Sequence, residues 1–529
     1  MTPIQAPVVE YALIAPILIV SGGAVLGTLV EAFVSRKHRF GVQAVVAFAT
    51  ALATLADSLY VYAHLRPVAG VGRGQISTEG ALAVDGPGVL TWAMLSVFAL
   101  LSIALFAERR LEGGLSAFTG RAADAPGSPG EAEARAARLE HAEIFPLAMF
   151  ALLGMMVFAT ANDLLTLFVA LEVLSLPLYV MCGLARRRRL LSQEAALKYF
   201  LLGAFSSAFF AYGIALAYGY AGGVRLADLD QAVATRADGR ALLLAAIGLM
   251  SVGLLFKIGA VPFHAWTPDV YQGAPTPVTA FMAAGTKAAA VVALMRVLFV
   301  AFGGAAGDWR PLILAVAVIT MLLGSLVAIA QTDVKRMLGY SSVAHAGFLL
   351  VGIAGAFAAA GRISSVSAIL FYLAVYGVAS IGAFAVVTLV RDSSGHGGGE
   401  ANYLARWAGL GQKAPVLAGA FALFLLSFAG IPLTSGFVGK MAVFSTALSG
   451  GFWPLVVVAV LASAVAAYFY ARVIVLMFFT EPVGSGPDVA VPSLLTTVVI
   501  GAAAIVTLGL GLVPGPALEF AQHAGLFVR

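Results

Sequence analysis

The amino-acid sequence predicts an all-α polytopic membrane protein of about fourteen transmembrane helices, two of them broken near mid-membrane. Three observations carry this. Charged residues make up only 11% of the 529 residues and hydrophobic ones 61%. The mean hydropathy is +0.97. Apolar stretches of membrane length recur from end to end. A soluble domain carries about 25% charged and about 45–50% apolar residues. A larger core cannot absorb the deficit, because a core still needs a polar surface. The bilayer must be the solvent for most of the chain.

A crossing needs about 20 mostly apolar residues. That criterion places the first six spans at 8–34, 41–64, 88–108, 144–161, 163–185 and 195–220. The next four are 241–274, 276–301, 311–331 and 337–358, followed by 364–390, 414–448, 452–480 and 491–515. Glu10 interrupts the start of the first span and no basic stretch precedes it, so no cleavable signal is expected. Residues 111–142, rich in Ala, Gly, Glu and Arg, are expected to form a flexible loop, and 393–399 a short Gly-rich linker.

The loops alternate in basic content. Seventeen Lys and Arg fall on the side that includes Arg36, Arg109, the run Arg186–Arg189 and Lys335. Eight fall on the side that includes Arg66, Arg225 and Arg310. The excess marks the cytoplasmic side, so both termini are expected outside. The Arg186–Arg189 run is expected to be a topology anchor. The net charge of +5 therefore lines a membrane rather than marking a nucleic-acid surface.

Several function classes are excluded. Cys182 is the single cysteine, so the chain has no internal disulfide and no thiolate set for an iron–sulfur cluster. No strand–helix G-x-G-x-x-G or Walker A pattern is present. Redox or nucleotide chemistry must sit on another polypeptide.

The informative count is Lys against Arg. The chain has 24 Arg and 7 Lys, yet four lysines (Lys198, Lys257, Lys287 and Lys440) lie inside the expected spans, against two arginines, Arg296 and Arg472. Arginine does not lose its proton in a protein, whereas a desolvated lysine can. A charge at bilayer centre costs about 2.5–3.5 kcal/mol or more, so such groups mark transport paths. Glu172 is the one acid inside the fifth span and is expected to partner a membrane lysine. Lys198 lies nearer the cytoplasmic end, where it can snorkel. Arg296 and Arg472 are expected to be static counter-charges or packing groups. Asp57 has no evident partner, and Glu10 and Glu31 lie close to span ends.

Segments 241–274 and 414–448 exceed one crossing and are too short for two. Each contains a midpoint break, Gly259-Ala-Val-Pro262 and Gly430-Ile-Pro432. Proline removes a helix hydrogen bond, and freed backbone groups at membrane depth are tolerated only beside protein or water. Paired breaks point to a transport site near the midplane and to a duplicated five-helix unit. The corresponding divisions are 1–110, 111–142, 143–302, 310–480 and 481–529. His264 follows the first break and His345 lies within the tenth span; because a free histidine titrates near neutrality, both are expected to suit proton relay better than metal ligation, for which no Cys or carboxylate cluster is present.

These stretches resemble a known family. They are Leu171-Glu172-Val-Leu-Ser-Leu-Pro-Leu-Tyr179, Glu194-Ala-Ala-Leu-Lys198, Phe256-Lys257-Ile-Gly-Ala-Val-Pro-Phe-His264, Asp333-Val-Lys-Arg336 through His345, and Ser427-Phe-Ala-Gly-Ile-Pro432 through Lys440. The chain resembles the antiporter-like membrane subunits of bacterial respiratory complex I (NADH–quinone oxidoreductase). The run Trp266-Thr-Pro-Asp-Val-Tyr-Gln-Gly-Ala-Pro-Thr-Pro277 is similar to the subunit N branch. The resemblance implies fourteen helices in two inverted five-helix repeats, with the seventh and twelfth helices broken. It implies a polar axis of Glu172, Lys257, Lys287 and Lys440, with Lys198, His264 and His345 auxiliary. It also implies a bacterial plasma-membrane location, sister subunits M and K as neighbours, and NADH, FMN, iron–sulfur clusters and quinone on partner subunits. The expected activity is proton translocation driven by quinone reduction elsewhere in the complex. A subunit of a multisubunit cation/proton antiporter and a non-conducting membrane scaffold are the alternatives.

Overall fold

A computed structural model describes residues 9–68, 72–125, 127–356, 358–359, 362–363, 365–392, 399–482 and 486–528. The expected linker at 393–399 lies, except for Gly399, outside the described residues. Helices α1 (Tyr11–Phe33) and α2 (Arg36–His64) form a hairpin. The antiparallel strands β1 (Pro67–Val68), β2 (Gly72–Ser77) and β3 (Leu82–Asp85) follow. Next come α3 (Gly86–Phe106), the short α4 (Pro129–Ala136), α5 (Ile144–Thr160), α6 (Leu164–Cys182) and α7 (Arg189–Ala221). The surface helix α8 (Leu226–Thr235) leads to α9 (Arg240–Ile258), α10 (Trp266–Gly273) and α11 (Thr276–Arg296). The second half holds α12 (Ala306–Ile329), α13 (Val334–Ala354), α14 (Val366–Leu389) and α15 (Leu410–Lys413). The chain closes with α16 (Pro415–Ala429), α17 (Ser435–Ser449), α18 (Trp453–Phe479), α19 (Leu494–Leu512) and α20 (Gly515–His523).

Every expected span is occupied by helix, and the two overlong ones each hold two helices, α9/α10 and α16/α17. Among the described residues twelve helices are long and apolar enough to cross a membrane, with α5 and α16 as shorter apolar helices. The core is a wall of α11, α13 and α14. The most apolar 18-residue window of α11 is 100% buried and those of α13 and α14 are 94% buried, against 28% for α19. The outer helices turn large apolar side chains outward, Phe33 and Phe479 among them. Such a surface is stable only against hydrocarbon or another apolar surface.

The halves share local chemistry at a constant offset of 170 residues. Asp163 caps α6 by accepting from the Leu165 and Thr166 amides, and Asp333 caps α13 by accepting from those of Lys335 and Arg336 (163 to 333). Gly154 abuts the Leu174 backbone, and Gly324 that of Ala344 (154 to 324, 174 to 344); a Cβ at either glycine would meet the facing amide at 2.2 or 2.5 Å. The helix pairs α5/α6 and α12/α13 therefore cross through the same glycine contact. The breaks at Pro262 and Pro432 keep the offset.

Two expectations need correction. The described residues of 111–142 form a hydrogen-bonded cover rather than a flexible loop. Arg186 Nε donates to Ser116 O at 2.8 Å, and Arg189 donates to Arg121 O and Ala122 O at 3.0 and 2.8 Å. Phe118 is fully buried, edge-on to Phe106 at 5.9 Å. For the same reason the Arg186–Arg189 run is more than an anchor, because Arg186 and Arg189 are buried beneath this cover. Composition marked the segment as loop; guanidinium donors supplied by a distant helix start order it.

Arg296 and Asp85 form a fully buried bidentate ion pair at 2.8 and 2.9 Å. The Arg296 Nε donates to Ala159 O at 3.1 Å, and Asp85 also accepts from the amides of Gly88 and Val528. The pair ties α3, α5, α11 and the C-terminal segment together. Arg296→Ala leaves a buried carboxylate uncompensated, at a cost of about 3–5 kcal/mol. Thermal unfolding in detergent is expected to show a large loss of stability for Arg296→Ala and little change for Arg472→Ala, whose partner Ile329 O lies at the exposed surface.

Candidate functional site

The breaks create the polar interior. At the first, α9 ends on Gly259 (φ +81°), whose amide bonds back to Leu255 O and Phe256 O. At the second, α16 ends on Gly430 (φ +81°), bonded to Leu426 O and Ser427 O. Both are left-handed glycine caps. The freed Val261 amide is satisfied by Thr320 Oγ1 at 3.0 Å, and Trp266 Nε1 bonds to Phe256 O at 2.9 Å, clasping α10 to α9. Each break thus ends a half-helix on carbonyl groups at membrane depth, where the helix dipole favours a cation.

Lysines occupy these places. Lys257 sits in the last turn of α9, 3% exposed. Lys440, on α17, reaches back to the end of α16 and donates to Phe428 O at 2.8 Å, Ala429 O at 3.0 Å and Ser463 Oγ at 2.8 Å. Glycine is required at 430 for that reach, since a Cβ there would lie 2.9 Å from the lysine Cδ. Lys287, on α11, donates to the carbonyl of Ser342 and to its Oγ at 2.7 Å, with its Nζ 5.2 Å from the Tyr376 ring centre. Among the described residues no carboxylate pairs with any of these three amines within 4 Å.

Lys257 has the poorest hydrogen bonding, one bond of 3.3 Å to the Tyr199 hydroxyl. Its Nζ lies 5.0 and 5.6 Å from the ring centres of Tyr199 and Tyr179. The expected contact between Lys257 and Glu172 is not formed. Glu172 is half-buried and its Oε1 is buried without a hydrogen-bond partner. Glu172, Ser175 and Tyr179 lie along one stripe of α6, and it is the Tyr179 ring of that stripe that lies near the Lys257 amine.

The auxiliary candidates separate. Lys198 is more exposed and pairs with Glu194 at 2.6 Å and with Asp269 of α10 at 2.7 Å, and Arg336 pairs with the same Asp269. His345 lies in the centre of α13, buried, between Lys287 and Lys440, with tyrosine hydroxyls at both ring nitrogens. His264 stands apart, half-buried at the first break beside the Tyr340 ring, its Nδ1 without a partner.

Several groups escaped the sequence reading. Ser342, Tyr199, Tyr271, Tyr372, Tyr376 and Tyr470 supply the hydroxyls around the amines. A signal existed on α14, where Tyr372, Tyr376 and Ser380 recur every four residues along an otherwise apolar helix. Lys335, counted as a loop charge, is 3% exposed in the first turn of α13 and donates to Ala274 O at 2.7 Å. The turn after α10 covers it, which no local pattern reveals. Among the described residues no group of three or more His, Cys, Asp or Glu is placed to hold a metal ion. The Cys182 thiol is buried, 3.4 Å from Met282 Sδ, so no cluster fits here.

Comparison with known proteins accounts for this arrangement. Residues 161–480 match the family model described as NADH:quinone oxidoreductase/Mrp antiporter, TM. That stretch contains both breaks and all seven candidate residues. The chain is 57% identical to NADH-quinone oxidoreductase subunit N of Nocardioides sp., covering 99% of each chain. It is similar to a chain in the structure of respiratory complex I from Thermus thermophilus with bound aureothin, at 32% identity and TM-score 0.75, over 96% of this chain and all of that one. A chain of the Mrp complex from Dietzia sp. shares the fold, at 23% identity and TM-score 0.79, over 97% of each chain. With full-length relatives above half identity and the paired helix breaks in place, the chain belongs to the subunit N family of NADH-quinone oxidoreductase, the antiporter-like subunits of the complex I membrane arm.

Proposed function

We infer that this subunit carries protons along Glu172, Lys257, Lys287 and Lys440, with Lys198, His264 and His345 auxiliary. Quinone reduction in partner subunits drives the transfer. The observation that carries the reading is three lysines within the apolar spans, each at most 4% exposed and bonded to hydroxyls and carbonyls, with no carboxylate of the described residues within 4 Å. Arg296, buried in the same spans, is instead matched by a fixed anion, Asp85. A carrier must be able to exist without its proton, which neutral partners permit.

The supply of acceptors rises along the proposed path. Lys257 has one, Lys287 has the two oxygens of Ser342, and Lys440 has three. An ammonium offers three N–H donors, and in a low-dielectric interior each unmet donor is costly. The number of N–H donors met thus rises from Lys257 to Lys440, the order proposed for transfer. Glu172 acts on Lys257 through space, past Tyr179, so a modest displacement of α6 changes their coupling without breaking a contact ion pair.

The finer assignments follow from the same reading. The domains are 1–110, the cover 111–142, repeats 143–302 and 310–480 in inverted orientation, and 481–529, giving fourteen crossings. The chain lies in the bacterial plasma membrane with both termini outside. Subunits M and K are its neighbours, and NADH, FMN, iron–sulfur clusters and quinone belong to partner subunits.

Lys257→Met keeps the length of the side chain and removes the amine. The assembled complex is expected to retain its subunits while vesicle acidification per NADH oxidised falls; unchanged pumping would remove Lys257 from the path. Orientation is checked with reporter fusions. A reporter inserted after Ala123 is expected to be active only as a cytoplasmic fusion, and one at Arg529 only as an external fusion.

A further inference from the structure

Between Lys287 and Lys440 stands His345, whose surroundings are specific enough to assign further positioning residues. Its Nδ1 lies 2.7 Å from the Tyr372 hydroxyl of α14, and its Nε2 lies 3.3 Å from the Tyr470 hydroxyl of α18. The Tyr470 hydroxyl is also bonded to Ser341 Oγ, one turn before His345 on α13. Rings of Phe348, Tyr376 and Phe428 close around the imidazole at 5.7, 4.7 and 5.6 Å. The charged and titratable groups facing it are Lys287 from α11, Lys440 from α17, Tyr372 and Tyr376 from α14, and Tyr470 from α18.

The two ring nitrogens meet hydroxyls from different helices. On the Nδ1 side, Tyr372 is one turn from Tyr376, whose ring centre is 5.2 Å from the Lys287 Nζ. On the Nε2 side, Tyr470 lies two turns along α18 from Ser463, which accepts from Lys440. A neutral imidazole has one N–H and one bare nitrogen, so one tyrosine must accept from it and the other must donate to it. Each tyrosine has a single hydroxyl proton. When Tyr470 donates to Ser341, its oxygen can only accept from the ring; Nε2 then carries the hydrogen and Tyr372 donates to a bare Nδ1. When Ser341 donates instead, Tyr470 is free to donate to Nε2 and the ring hydrogen moves to Nδ1.

We propose that Tyr372 and Tyr470 fix the tautomer of His345, with the Ser341 hydroxyl selecting between the two arrangements, and that this sets the sense of proton passage across the imidazole between Tyr372 and Tyr470. The proposal rests on His345 being a relay. With hydrogen on Nε2, a proton arriving from the Lys287 side forms a new N–H bond at Nδ1. The Nε2–H bond then breaks as Tyr470 takes that proton and passes its own hydroxyl proton to Ser341 Oγ. One N–H forms, one breaks, and no electrons are exchanged. The ring is left as its other tautomer, so a second passage in the same sense requires a reset. Passage in the opposite sense meets an occupied nitrogen.

The test uses the assembled complex in membrane vesicles, measuring acidification per NADH oxidised across a range of pH. Tyr470→Phe and Tyr372→Phe are each expected to slow pumping several-fold and to move its pH profile. Neither is expected to lower it further in a His345→Gln background. Ser341→Ala keeps every ring in place and is expected to move the pH profile in the same direction as Tyr470→Phe, which holds the test open if a tyrosine variant fails to assemble. Impaired pumping in His345→Gln, with tyrosine and serine variants at normal rates and unmoved profiles, overturns the tautomer assignment and leaves the relay standing. Additive losses in the His345→Gln background overturn it too, as packing effects. Normal pumping in His345→Gln removes the relay itself.

Discussion

An ammonium group inside a membrane must be solvated by something, and the choice of solvating group organises this whole structure. Lys440 takes the last carbonyls of α16, while Lys257, in the last turn of α9, takes the Tyr199 hydroxyl; both helices end at membrane depth because Gly259 and Gly430 stop them there. The glycines do double duty at the second break, turning the chain at φ +81° and leaving the space through which the Lys440 side chain passes. The breaks are therefore solvation devices for cations, and the prolines beside them keep the helices from healing.

Two kinds of cation are buried within the apolar spans, apart from those under the cover at the helix ends, and their partners tell them apart. Arg296 meets Asp85 in a bidentate pair with both side chains fully buried, its remaining Nε bonded to a carbonyl. Such a pair is expensive to separate and has no use for a second protonation state. Lys257, Lys287 and Lys440 are as deeply buried yet meet only neutral oxygens. The cost of this arrangement is an amine that holds its proton less firmly, which suits a carrier and would be a fault in a strut. The arginine pair closes the C-terminal segment over α3, α5 and α11, so rigid and titratable charges are segregated within one bundle.

Duplication explains part of the layout. The 170-residue offset that relates the aspartate caps, the glycine crossings and the proline breaks also relates Glu172 to Ser342. The first half places a carboxylate where the second places a hydroxyl. That hydroxyl is the partner of Lys287, so the middle of the axis has a neutral acceptor at the position where its beginning has an acid. One acceptor of the axis, Ser342, thus stands at the position equivalent to Glu172, whereas the lysines themselves do not keep the offset.

Sequence alone determined the spans, the two breaks and the four principal ionisable residues, because each is a local property. Twenty apolar residues need a bilayer, a glycine–proline pair interrupts any helix, and a lysine within an apolar stretch is anomalous wherever the stretch packs. Tertiary structure decided which groups meet. Glu172 and Lys257 do not form the ion pair that was expected, Lys335 disappears beneath the turn after α10, and Arg186 and Arg189 bind the segment at 111–142 that composition marks as loose. Each of these depends on contacts between residues far apart in the chain, and hydrogen-bond partners across a bundle follow from helix rotation and depth, which hydropathy does not encode.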